Sequence, residues 1–161
     1  MTKGFQKKLE ASFVEIIRKT SAELPKDVVE LLKKGRESEA SGSRGEYALK
    51  IIEKNIDLAK EKSQPLCQDT GSVLFFIHYP MKLEYDALEK IIRNAVVSAT
   101  RVGYLRQNSV DSITGKNNGT NLGPGAPTIH MVPWKKNEFD IRLILKGGGC
   151  ENVGVQYSLP D

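Results

Sequence analysis

At residues 72–79 the chain reads SVLFFIHY, a short apolar run bounded by Gly71 and Pro80. An apolar run of this length between turn-forming residues predicts a buried strand. A sustained helical period follows from Tyr85 to about Arg106. Its apolar stripe is Leu88, Ile91, Ile92, Ala95, Val96, Ala99 and Val102. A buried strand followed by a long amphipathic helix predicts a sheet that is covered by helices.

The first third of the chain carries the pattern of helices. The first helix is predicted around residues 5–17, where Phe5, Leu9, Phe13, Ile16 and Ile17 recur at helical spacing. Pro25 suits the first position of a second helix, and the polar stretch 38–45 predicts a loop. A third helix is predicted with the buried stripe Tyr47, Ala48, Ile51, Ile52, Leu58 and Ala59.

The last third is predicted to be loop and strand. Residues 117–125 are turn-forming and have no helical or strand period. Residues 128–134 and 139–145 predict two strands, and three consecutive glycines follow at 147–149. The predicted fold class is therefore α+β: a small mixed sheet packed with helices and a helical N-terminal third.

Size and composition favour a single soluble domain. The chain has 161 residues and a formal net charge of +4, which suits an anionic small molecule or a nucleic acid. No basic stripe with interleaved aromatics accompanies this charge, so nucleic-acid binding is not expected. Neither a signal peptide nor a membrane-spanning run is evident, which predicts no membrane association and a cytoplasmic location.

Three loops concentrate residues that suit binding or catalysis. In the first, Cys67, Gln68 and Asp69 place a thiolate, an amide and a carboxylate between a helix and a strand, where such groups can hold a metal or a substrate. A capped turn around a packed Cys67 is the alternative. A single cysteine is weak evidence for a metal site, because metal sites need several ligands.

The other two loops suit an anion. Arg106 ends the predicted long helix and matches a carboxylate bidentately, although a cation at a helix C-terminus also stabilises the helix. The run 147–149 lets the backbone approach an anion, or it forms a tight structural turn. His78 and His130 lie in predicted strands and are expected to be structural rather than catalytic.

Three motifs in this order resemble the alpha subunit of class I fumarases and L-tartrate dehydratases, which is the N-terminal domain in single-chain members. They are residues 67–71 (CQDTG), 118–124 (NGTNLGP) and 146–149 (KGGG), and the resemblance extends from about Tyr47 to the last residue. It implies an enzyme that reversibly adds or removes water at a dicarboxylic acid. The expected reaction is fumarate to malate first and tartrate dehydration next.

The resemblance also implies a cofactor and site residues. A 4Fe-4S cluster is held by three Cys thiolates, and its fourth iron acts as a Lewis acid on the substrate. By position, Cys67 resembles the first cluster ligand. The implied substrate-binding residues are Gln68, Asp69, Arg106 and Gly149. Cys150 falls where many relatives have Ser, so it is not expected to be a ligand.

The resemblance further implies that this chain is part of a larger enzyme. The other two ligand cysteines and the general acid are expected beyond residue 161 of the same subunit. The general base is expected in a beta subunit or C-terminal domain. The chain, residues 1–161, is therefore expected to be the N-terminal part of an alpha subunit truncated at its C-terminus. Alone it should lack the cluster, be inactive and associate with itself. A non-catalytic scaffold or interaction module of the same fold is the alternative.

Overall fold

The computed structural model of the chain describes residues 1–68, 72–111, 113–148, 154, 155 and 157. In this part of the chain the elements follow the order α1 (Lys3–Ala22), α2 (Lys26–Ser38), α3 (Arg44–Lys62), β1 (Ser72–Pro80), α4 (Tyr85–Arg101), β2 (Thr128–Trp134) and β3 (Asp140–Lys146). The predicted α+β class with a helical N-terminal third is confirmed. Pro25 caps α2 rather than opening it.

The three strands form the small mixed sheet that the sequence predicts. β1 is central, with β2 parallel on one side and β3 antiparallel on the other. The start of β1 therefore lies beside the end of β3, where Ser72 pairs with Lys146. It also lies beside the start of β2, where Leu74 pairs with Thr128.

The core lies between one face of the sheet and two helices, α1 and α4. Alternate residues of β1 are buried on this face, as the two-residue strand period requires. The middle parts of the predicted helix stripes meet them, whereas Phe5 and Val102 at the ends of these stripes are exposed. Phe13 of α1 packs edge-on against Phe75 of β1 with ring centroids 5.7 Å apart. From α4 the core receives Leu88, Ile91, Ile92, Ala95, Val96 and Ala99.

The long helix ends five residues earlier than predicted. α4 stops at Arg101 and is followed by Gly103 in a left-handed conformation with φ 85°. The Gly103 and Tyr104 amides donate to the carbonyls of Thr100 and Ala99, which is the hydrogen-bond pattern of a Schellman motif. Arg106 therefore lies in a loop beyond the helix, and the interpretation of it as a cation at the helix end is wrong. The basic residue in the last turn of α4 is Arg101.

The predicted buried stripe of α3 is mostly exposed. Tyr47, Ile51 and Leu58 are 69%, 51% and 40% exposed, whereas Ile56 and Ala59 are buried. Ala48 and Ile52 are exposed as well. The physical reason is that α3 packs mainly on α2 and only lightly on α1, so this face of the helix meets no other described element. Among the described residues, no helix has both the length and the apolar character that a membrane span requires.

Candidate functional site

Strand direction brings the three motif-bearing loops to one end of the sheet. The Cys67 segment leads into the start of β1, and the glycine run follows the end of β3, which is the neighbouring position in the antiparallel pair. Residues 102–127 connect α4 to the start of β2, beside the start of β1. The described parts of the three predicted loops therefore lie at one end of the sheet because of the topology rather than because of their sequence spacing.

The backbone before Cys67 is fixed from two directions. The Leu66 amide donates to the Ser21 carbonyl at 2.9 Å, and the Leu66 carbonyl accepts from Asn55 Nδ2 at 3.1 Å. Cys67 and Gln68 follow immediately, and both are exposed. The exposure of Cys67 to solvent therefore argues against the alternative in which it is packed inside a capped turn.

Arg106 lines a cleft of ≈ 630 Å³ between the end of α3 and the loop after α4. From the α3 side come Gln64 and Pro65, two residues before Cys67. From the α4 side come Arg101 and the segment Arg106, Gln107 and Asn108. No carboxylate occurs among the described residues that line the cleft. Two guanidinium groups without a neighbouring acid make it suitable for an anion.

One hydrogen bond ties the arginine loop to the cysteine loop. Asn108 Nδ2 donates to the Gln68 carbonyl oxygen at 3.0 Å. Gln68 is adjacent to Cys67, and Asn108 is two residues from Arg106. The bond therefore joins a side chain of the arginine segment to the backbone of the cysteine segment across a sequence separation of 40 residues.

Asparagines hold the arginine segment in place, and sequence reasoning assigned them no role. Asn117 Nδ2 donates to the Gln107 carbonyl at 2.5 Å. Asn121, which is buried, donates to the Arg106 carbonyl at 2.7 Å. The asparagine-rich run 117–121 was the available signal, because Asn side chains bond readily to nearby backbone groups. Which backbone groups they reach is a tertiary property.

The same loop contains a carboxylate with a perturbed pKa. Asp111 Oδ1 accepts the Thr114 amide at 2.7 Å, the Thr114 hydroxyl at 2.8 Å and the Ile113 amide at 3.1 Å. These bonds, with that of the Thr114 amide the strongest, lower the pKa of Asp111 because each favours the charged form. Asp111 therefore acts as the ionised centre of a turn that begins three residues after Asn108.

The third loop is described only at its start. Lys146 ends β3 opposite Ser72, and Gly147 and Gly148 follow it. Asp69, Gly149 and Cys150 lie outside the described residues. The predicted roles of Asp69 and Gly149 in binding substrate, and the predicted absence of Cys150 from the ligand set, therefore stay predictions.

A cluster would need ligands beyond those that the described residues supply. No group of three or more His, Cys, Asp or Glu side chains is assembled in the described ranges. One exposed thiol on a fixed backbone fits the role of a single ligand, which is the role predicted for Cys67. The described histidines lie elsewhere, on the sheet. His78 Nδ1 is 3.6 Å from Asp140 Oδ2, and its ring stacks on Trp134. The ring of His130 stacks on Phe76.

Comparisons with known proteins identify relatives of this chain. A family model described as "Fumarate hydratase (Fumerase)" matches residues 10–161. The chain is 46% identical over 153 residues to "Putative fumarate hydratase class I" of Geobacillus stearothermophilus, covering 95% of this chain and 30% of that protein. It is 33% identical over 150 residues to "L(+)-tartrate dehydratase subunit alpha" of Escherichia coli K12, covering 89% of this chain and 47% of that protein. The chain thus spans less than half the length of both relatives.

Proposed function

Because the chain belongs to the fumarate hydratase family of the class I type, we propose that it forms part of a hydro-lyase that adds or removes water at a dicarboxylic acid. Fumarate-to-malate conversion is the first candidate reaction and tartrate dehydration the second. In this proposal residues 1–161 are the N-terminal part of the catalytic alpha subunit. A beta subunit or C-terminal domain completes the active site.

The bond between Asn108 and the Gln68 carbonyl carries this proposal. This 3.0 Å hydrogen bond holds the segment that contains Arg106 beside the segment that contains Cys67. A substrate-gripping cation and a cluster-binding thiolate must act on the same small molecule, so their backbones have to be fixed relative to each other. The cleft with Arg101 and Arg106, which has no carboxylate among its described lining residues, supports the same interpretation, since a dicarboxylate brings two negative charges.

Each residue of the site has a proposed task. Arg106 grips one carboxylate of the substrate through two parallel N–H donors. Gln68 and Asp69 contact the substrate beside it, and the Gly149 backbone amide donates to an oxygen that gains negative charge during the reaction. Cys67 would supply one thiolate to a 4Fe-4S cluster. When bound, the cluster supplies a Lewis acid that makes hydroxide a better leaving group.

The proposed assembly extends beyond one chain. The exposed apolar face of α3 with Tyr47, Ile51 and Leu58 supports association with other protein surface, because contiguous apolar patches mark such contacts. We propose a homo-oligomer that includes the beta partner. The cytoplasmic location predicted from the sequence is retained as part of this proposal.

The proposal is tested on the complete enzyme, loaded with iron and sulfide under anaerobic conditions. Cys67→Ala should lose the cluster absorbance and the hydration of fumarate, because the cluster loses one of its proposed thiolate ligands. Cys150→Ala is the matched control and should retain both. Loss in both variants, or in neither, would contradict the ligand assignment. A wild-type enzyme that takes up no cluster and acts on neither fumarate nor tartrate would favour the scaffold alternative.

A further inference from the structure

One buried side chain organises the backbone around Arg106. Asn121 is 3% exposed, and its amide makes four hydrogen bonds. Nδ2 donates to the Arg106 carbonyl at 2.7 Å and to Thr100 Oγ1 at 3.1 Å. Oδ1 accepts from the Asn108 and Ser109 amides at 3.1 and 3.2 Å. These bonds use both donors and both acceptor sites of the group.

The four bonds involve Thr100 and Arg106 before Gln107, and Asn108 and Ser109 after it. This segment has no strand or helix ladder to fix it, so one side chain supplies what regular structure supplies elsewhere. A buried polar network that is fully satisfied specifies a single local conformation. The Arg106 backbone is therefore fixed relative to the last turn of α4, which contains Thr100.

The same side chain extends to the cysteine loop through one intermediate. The Asn108 amide nitrogen bonds to Asn121 Oδ1, and the Asn108 side chain bonds to the Gln68 carbonyl. The series Asn121, Asn108, Gln68 thus spans both loops of the proposed site with bonds of 3.1 and 3.0 Å.

We propose that Asn121 is a positioning residue for the dicarboxylate site: it directs the Arg106 guanidinium into the cleft and holds the Gln68 segment beside it. This inference rests on the proposed function, because it assigns to Asn121 an action through a substrate-binding Arg106. Asn121 does not line the cleft, so its effect on the substrate is indirect.

The backbone at Asn121 allows a clean deletion of the side chain. Its φ is 56°, a left-handed conformation that Asn tolerates and Gly adopts without strain. Asn121→Gly therefore removes the four hydrogen bonds without adding backbone strain. Asn121→Asp is the second variant. Aspartate has the same side-chain size and can still accept the two hydrogen bonds, but it cannot donate the other two.

The test measures binding of succinate, a dicarboxylate that cannot be hydrated, to the complete cluster-loaded enzyme by anaerobic calorimetry. Asn121→Gly should weaken succinate binding by a factor between about 10 and about 100, because the guanidinium is no longer held in its productive place. Asn121→Asp should weaken it in the same direction. The control is Ile92→Val in the fully buried part of α4, which should lower the unfolding temperature and leave succinate binding unchanged.

A double-mutant cycle separates positioning from general loss of structure. In an Arg106→Ala background, Asn121→Gly should cause no further loss of succinate binding, because the group it positions is absent. Full additivity of the two losses, or unchanged binding in Asn121→Gly and Asn121→Asp, would overturn this inference and leave the proposed function intact. Unchanged binding in Arg106→Ala alone would instead refute the proposed role of Arg106, and this inference with it.

Discussion

At the scale of the residue, the decisive feature is where Arg106 lies. A guanidinium matched to a carboxylate was predicted from its type alone, and the structure places it near the Cys67 loop in a cleft whose described lining residues include no carboxylate. Arg106 is exposed and lies in the loop that follows the end of α4 at Arg101. The residue type could not predict which group holds the Arg106 backbone in place. The Arg106 carbonyl accepts a hydrogen bond from Asn121, 15 positions away.

Arg106→Lys in the complete enzyme tests the two-donor grip. Lysine keeps the charge but lacks the planar fork that pairs bidentately with a carboxylate. We expect the KM for fumarate to rise by about tenfold. Steady-state kinetics under anaerobic conditions measures this.

Arg142→Lys is the control for that experiment, because Arg142 is an exposed arginine on β3 with a 76% exposed side chain. It should leave the KM unchanged. An unchanged KM in Arg106→Lys would show that Arg106 contributes only charge or nothing at all.

At the scale of the element, helix periodicity was correct about the buried face of α4 and wrong about where this helix ends. The stripe of α4 is buried from Leu88 to Ala99 as predicted, because burial follows the 3.6-residue period. The period does not determine where the helix stops. That is decided by Gly103, whose positive φ closes the helix with a Schellman motif and starts the loop that carries Arg106.

Gly103→Ala should destabilise the protein by about 1 to 2 kcal/mol, the cost of a Cβ in the left-handed region. An added Cβ meets no atom within 4 Å at this position, so strain rather than a clash is the cause. Gly35→Ala inside α2 is the matched control, because its Cβ meets only Leu49 at 3.9 Å and alanine favours a helix.

Chemical denaturation of both variants measures this difference. The free energy of unfolding should fall for Gly103→Ala and stay equal or rise for Gly35→Ala. Equal stability of Gly103→Ala and the parent chain would show that the helix end tolerates another conformation.

At the scale of the whole molecule, the α2–α3 pair has an apolar side that no described element covers. Tyr47, Ile51 and Leu58 lie at helical spacing on one face of α3 and are between 40% and 69% exposed. These three residues belong to the stripe that was wrongly predicted to be buried. The helical period correctly identified an apolar face, but it could not predict whether another element covers that face.

Ile51→Lys should reduce self-association of the chain, because it places a charge in the middle of this face. Light scattering over a range of protein concentrations measures the effect. Met81→Lys is the matched control: Met81 is 60% exposed in the turn after β1, away from α3, and this substitution should leave association unchanged. A parent chain that is monomeric at all concentrations would contradict the predicted self-association of this chain.

The residue pattern alone predicts the order of the elements, the buried faces of α1, β1 and α4, and the loops in which unusual residues concentrate. These are local properties, set by the period of apolar residues and by turn-forming residues. The folded chain adds three facts that the pattern does not contain. The described parts of these loops lie at one end of the sheet, Asn108 joins the Arg106 segment to the Cys67 segment, and the apolar face of α3 is exposed. The physical reason is that strand direction and long-range hydrogen bonds connect residues far apart in the chain, and no local pattern encodes those partners.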